Sequence, residues 1–118
     1  MSLITKILAL LVAVEFFYIM YLETFATTSE KTSKVFGMSV EELGRDSVNT
    51  LFKNQGVYNG LLAVFILIAT FLIVSKVLVT LLMIYIICVA VYGSITSNPK
   101  IIFMQGGIAI LALISCIL

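Results

Sequence analysis

Along this chain, long apolar runs alternate with short polar breaks, and the breaks divide it into elements. Residues 3–26 are apolar apart from Lys6, Glu15, Glu23 and a few hydroxyl groups, and residues 27–46 are polar. A further apolar stretch is interrupted by Ser75-Lys76 and again by Ser97-Asn98-Pro99-Lys100. Read as one helix, residues 56–96 would be roughly 60 Å long, about twice the hydrocarbon thickness of a bilayer. Ser75-Lys76 is therefore expected to be a tight turn, and the Asn-Pro break a second one. The pattern predicts an all-α membrane protein. Its expected form is a four-transmembrane-helix bundle forming a single domain over residues 1–118, with helices at about 3–26, 47–74, 77–96 and 101–118.

The connector, 27–46, carries four of the six acids and three of the seven bases. Ser39-Val-Glu-Glu42 fits a capping box, which predicts one short interfacial helix ending near Gly44. Val35, Phe36, Met38, Val40 and Leu43 give it an apolar side for the bundle mouth or the headgroup layer. A plainly solvated connector is the alternative.

The first helix has acids where a lipid-facing helix would have none. By helical rise Glu15 lies roughly 18 Å from Leu3, near mid-membrane, and Glu23 about 12 Å further on. A charge at that depth costs roughly 3 kcal/mol on insertion scales. Glu15, Tyr18, Leu22 and Glu23 share one broad side, expected to face protein, with Leu11, Val12 and Ile19 opposite toward lipid. The second helix begins LFKNQGVYNGLLA, where Asn54, Gln55, Tyr58 and Asn59 are three or four apart and Gly56 and Gly60 form a small-xxx-small pair. Close-approach glycines beside amides suit partners for a buried carboxyl. The expected polar core is therefore Glu15, Tyr18, Glu23, Asn54, Gln55, Tyr58, Asn59, Tyr92 and Gln105, with Gln55, Asn59 or Tyr92 bonded to Glu15. Glu23, nearer the headgroups, could instead pair with Lys53 or Lys31.

Composition narrows the classes. Of the 118 residues 62% are hydrophobic and 11% charged, against about 25% charged in soluble domains. A net charge of +1 offers no field for nucleic acid. With no His, His-based metal sites, general bases and nucleophile pairs are excluded, and neither a metal nor a cofactor is expected. Cys88 and Cys116 lie in apolar stretches and read as free thiols. Glu15 interrupts what would be a signal-peptide core, so the first helix is expected to be retained. Lys31, Lys34, Arg45, Lys53 and Lys100 fall on one side and Lys6 and Lys76 on the other, which predicts a cytoplasmic connector and both termini outside.

The residues Glu15 and Tyr18 through Glu23 in VEFFYIMYLETF, then Val35-Phe36-Gly37 and the run Asn54-Gln55-Gly56-Val57-Tyr58-Asn59-Gly60, resemble a bacterial membrane family, domain of unknown function 1304. Tyr92-Gly93 and Gln105-Gly106 are similar to its later motifs, so the resemblance spans nearly the whole chain. It implies a small four-helix protein of the bacterial cytoplasmic membrane and suggests kinship with the broader DoxX-like bundles. It implies no established activity. The family often has His directly after the first Glu, where this chain has Phe16.

Three function classes remain. The favoured one is binding or transport of a small molecule or ion by Glu15 among amides, within the lipid bilayer and as a homo-oligomer, because four helices are thin for a complete pathway. The second is a structural or accessory subunit in which the polar groups only specify packing. The third, a membrane-embedded enzyme on a lipophilic substrate, is disfavoured, since Glu15 and Glu23 are about a dozen ångströms apart with no accompanying nucleophile.

Overall fold

Every apolar run becomes a helix, and no strand forms. The computed structural model describes the whole chain, Met1–Leu118. Helix α1, Leu3–Met20, runs into a π turn at Tyr21–Phe25 closed by the Ala26 amide on the Tyr21 carbonyl. Helix α2, Glu30–Phe36, begins where the Ser29 hydroxyl accepts from the Thr32 amide. It ends at Gly37, whose φ of 66° is the left-handed cap that glycine adopts without a Cβ penalty. Helix α3, Val40–Leu43, is capped by the Ser39 hydroxyl on the Glu42 amide. Helix α4, Asp46–Leu67, also ends in a π turn, Ile68–Leu72. Ser75 caps α5, Lys76–Thr96, and Pro99 precedes α6, Ile101–Ile117.

Three stretches are long and apolar enough to cross a membrane by length and composition: Leu3–Phe25, Asp46–Leu72 and Lys76–Thr96. Ile101–Ile117 is a shorter apolar helix of 17 residues.

The helices are organised as two compact units, Met1–Glu15 with Val64–Leu118, and Phe16–Ala63. In the first, α5 buries Val79, Met83, Ile86 and Ala90, while α6 buries Gly106, Ala109, Ala112 and Cys116. These steps of three and four put one stripe of each helix inward. A Cβ on Gly106 would lie 3.3 Å from that of Ala90, and one on Gly93 3.3 Å from Ile101 Cγ2, so the two helices run antiparallel on small residues. A hydroxyl chain joins the start of α1 to the end of α6. Ser115 donates to the Ala112 carbonyl at 2.7 Å, which leaves Thr5 to donate to Ser115 at 2.8 Å and Ser2 to donate to Thr5 at 2.9 Å.

In the second unit the end of the first helix lies antiparallel to the start of α4, with Met20 at Gly60 and Thr24 at Gly56. The connector packs onto this pair. The buried Thr32 hydroxyl reaches the Leu22 and Ala26 carbonyls at 3.1 and 2.6 Å, Leu43 is fully buried, and Phe36 meets Phe52 edge-on at 5.2 Å.

Two expectations need correction. The connector holds two short helices rather than one, because Ser29 and Gly37 bracket a first helix as Ser39 and Gly44 bracket the second. Val12 and Ile19, assigned to lipid, are 0% and 6% exposed, whereas Leu11 does face out. A helix with neighbours on more than one side buries apolar positions beyond its polar stripe.

Two glycine-to-alanine changes should have opposite signs. A Cβ at Gly37 or Gly107 meets nothing within 4 Å, so backbone conformation alone decides. Gly37→Ala should destabilise by about 1 kcal/mol because φ is left-handed. Gly107→Ala, inside α6, should stabilise by about 0.5–1 kcal/mol. Denaturation of each variant in detergent, followed by circular dichroism, reads both.

Candidate functional site

The site is built where a π turn, a pair of glycines and an amide coincide. A π turn closes from residue i to i+5 and so holds one residue more than an α turn. In Tyr21–Phe25 the neighbours Leu22 and Glu23 are both buried. Across from them, Gly56 and Gly60 present bare backbone. A Cβ at Gly56 would overlap the Thr24 hydroxyl, and one at Gly60 would run into the Met20 sulfur. Without side chains there the helices approach closely enough for Asn59, one residue before Gly60, to reach the carboxyl. Its Nδ2 donates to Glu23 Oε1 at 2.6 Å. Glu23 as a whole is 2% exposed.

Hydroxyls complete the surroundings. Thr24 donates to the Lys53 carbonyl at 3.0 Å, and Thr27 donates to the Glu23 carbonyl at 2.7 Å. Thr27 and Thr32 thus satisfy the Glu23 and Leu22 carbonyls at the end of the helix, and Thr32 shares the Ala26 carbonyl with the Ser29 amide. Glu23 has no ion-pair partner. The ion pair of the chain is Arg45 with Glu42 at 3.0 Å, on the surface, so pairing of Glu23 with Lys53 or Lys31 is not what forms. The buried acid is bonded to a neutral amide.

Glu15 is different. It is half-buried, and its Oε1 is shut off from solvent without a hydrogen-bond partner, as is the Ser94 hydroxyl on α5. The amide shell expected around Glu15 is therefore corrected: the amide–carboxyl bond that forms is Asn59 to Glu23.

The remaining expected residues divide by face. Asn54 and Gln55 are exposed, Tyr58 is 75% and Tyr92 70% exposed, Tyr18 faces out, and Gln105 is half-buried. The expected inward placement of Tyr58 and Tyr92 is corrected accordingly. At 100° per residue Gly56, Asn59 and Gly60 share the inner face of α4, which turns Asn54, Gln55 and Tyr58 away. Asn54 and Tyr58, with Val57 and Leu61, line a shallow outer recess of about 290 Å³. Thr24, Thr27 and Thr32 were missed by sequence reasoning. Their signal is their spacing from Glu23 and the contact that Gly56 makes with Thr24, which only the packed helices reveal.

No group of three or more His, Cys, Asp or Glu side chains is placed to hold a metal ion. The arrangement offers one enclosed carboxyl that can gain or lose a proton or accept a hydrogen bond, and a second with an uncommitted oxygen.

Comparison with known proteins agrees along almost the whole chain. A family model described as "Protein of unknown function (DUF1304)" matches residues 10–117. The chain is 64% identical over 116 residues to the uncharacterized protein YpaA of Lactococcus lactis subsp. lactis (strain IL1403), covering 98% of both chains. No solved structure matches.

Alanine at the two contact glycines should separate by the stiffness of the opposing side chain. Gly56→Ala drives a methyl into Thr24, which is β-branched and tied to the Lys53 carbonyl. It should cost about 1–3 kcal/mol. Gly60→Ala meets the flexible end of Met20 and should cost less than about 1.5 kcal/mol. Unfolding midpoints in detergent test the order; equal losses would remove the role given to Thr24.

Proposed function

For this chain, which belongs to the DUF1304 family of proteins of unknown function, we propose a role as a small multi-pass membrane protein that binds or carries a small molecule or ion. The observation that carries the reading is the Glu23 carboxyl, buried and bonded to Asn59 in a segment apolar enough to cross a bilayer. Ionisable groups enclosed within such apolar segments tend to mark ligand or ion sites. Glu15, in the other unit, has an oxygen that lacks a partner and is a separate candidate group, because a ligand can supply the donor the chain does not.

Four crossings are supported by two features. Ile101–Ile117, with 17 residues, is about 25 Å long by helical rise, close to the hydrocarbon thickness. The Thr5–Ser115 hydrogen bond joins the start of α1 to the end of α6, as an even number of crossings requires. The excess of Lys and Arg in and beside the connector supports a cytoplasmic placement for it, with both termini outside a bacterial cytoplasmic membrane.

An accessory role is the second reading, and the internally satisfied Glu23–Asn59 bond favours it, because helices in lipid are commonly held by such pairs at roughly 0.6 kcal/mol each. Reconstituted vesicles distinguish the two. Under a potassium diffusion potential with a pH-sensitive dye inside, protein-containing vesicles should acidify faster than empty ones. Glu23→Gln and Glu15→Gln, which keep shape and hydrogen bonding, should return the rate toward that of empty vesicles. If both variants are folded and pass protons like the parent, neither carboxyl does the work assigned to it.

A further inference from the structure

Helix α5 has two faces with opposite fates. Inward, Val79, Met83, Ile86 and Ala90 are buried. Opposite them, alternating steps of three and four run through Leu78, Leu81, Tyr85, Cys88, Tyr92 and Ile95, all of them exposed. This spacing is the a/d repeat of a helix–helix seam, sustained along nearly the whole helix.

Tyr85 is the feature that lipid alone does not accommodate. It is 58% exposed and lies halfway along α5, about 14 Å from Lys76 by helical rise. The side-chain hydrogen bonds of α5 are those of Thr80 and Thr96 to carbonyls of the same helix, so the phenol hydroxyl has no partner within the chain. Tyrosines facing lipid belong at headgroup level, roughly 15 Å from the bilayer centre, beyond the reach of this side chain. Polar groups at mid-membrane depth face protein as a rule.

We propose that this seam is an interface with a second copy of the chain, α5 packed on α5 about a two-fold axis along the membrane normal. The inference rests on the membrane reading above. Copies inserted by the same route have the same orientation, so the paired helices are parallel and a residue near the axis meets its own counterpart at its own depth. A phenol hydroxyl both donates and accepts. Tyr85 can therefore satisfy its twin, which a lysine or an ionised carboxylate could not do. Tyr92, one heptad on, repeats the pairing nearer the membrane surface, and Cys88 between them brings two thiols to the same axis.

Cys88 makes the test direct. In full-length protein in bilayers, with the buried Cys116 changed to Ser, copper-phenanthroline oxidation should yield a covalent dimer, and Cys88→Ser should abolish it. In the cysteine-free background, Leu81→Cys and Ile95→Cys should restore the dimer, whereas Val89→Cys and Val91→Cys, on the flanks of the seam, should not. Tyr85→Phe, which keeps the ring, should lower the dimer yield when the protein is diluted in lipid. Absence of a Cys88 dimer, or equal crosslinking at positions 88, 89 and 91, overturns the interface. Alkaline carbonate extraction of the same membranes keeps the two readings apart. Protein that stays in the pellet but fails to crosslink refutes the seam alone, and protein released to the supernatant refutes the membrane reading and the seam with it.

Discussion

Removing a carboxyl group from water is costly unless a donor meets it, and the unit formed by Phe16–Ala63 is arranged to give Glu23 one. The donor sits on another helix, so the helices must come close, and Gly56 and Gly60 let them. The first helix must also present Glu23 inward beside Leu22, as the π turn at Tyr21–Phe25 does. Widening the helix there disturbs its carbonyls, and Thr27 and Thr32 bond to the carbonyls of Glu23, Leu22 and Ala26. The connector is anchored in the process, since Thr32 belongs to α2. One short hydrogen bond between Asn59 and Glu23 thus depends on a chain of local choices, each made by a particular residue.

The other unit solves a different problem. Its helices carry few polar groups, and the α5–α6 contact is made by small residues, Ala90, Gly106, Ala109 and Ala112. Small residues hold such a pair by letting the two backbones pack closely, without charges or hydrogen bonds between them. The hydroxyl chain of Ser2, Thr5 and Ser115 ends on a backbone carbonyl, so each of its protons has an assigned acceptor. Against that closed set stand the Glu15 oxygen and the Ser94 hydroxyl, both enclosed and both without partners. Satisfied groups hold helices in register. Unsatisfied ones leave hydrogen-bonding capacity for something that is not part of the chain, which is why Glu15 stays in the functional reading although its expected amides bond elsewhere or not at all.

Much was legible from residue type and spacing. The turn at Ser75-Lys76 follows from the length limit on a membrane helix. Asn98-Pro99 marks the next turn, and Ser39 with Glu42 marks a cap. The pairing of an acid with an amide next to small-xxx-small glycines was legible as a class of interaction. Which acid took the amide was not, because Glu15 and Glu23 lie on the same broad side of an ideal helix and only the π turn and the position of Gly60 opposite Met20 distinguish them. Tyr58 and Tyr92 misled for a related reason: a polar residue in an apolar run can point inward or to the surface, and sequence spacing alone does not say which side a neighbour occupies.

The sequence by itself determined the four long apolar helices, the turns at Ser75-Lys76 and Asn98-Pro99, the cap at Ser39 and the presence of acids in an apolar segment, since these depend on hydrophobic run length and on signals within a few residues. Only the tertiary structure decided that Asn59 serves Glu23, that Val12 and Ile19 are buried, and that Tyr85 and Cys88 look outward. Those outcomes depend on the rotation of each helix about its own axis. That rotation is set by which small residues meet across an interface, and such a contact is not encoded in the local pattern of either helix alone.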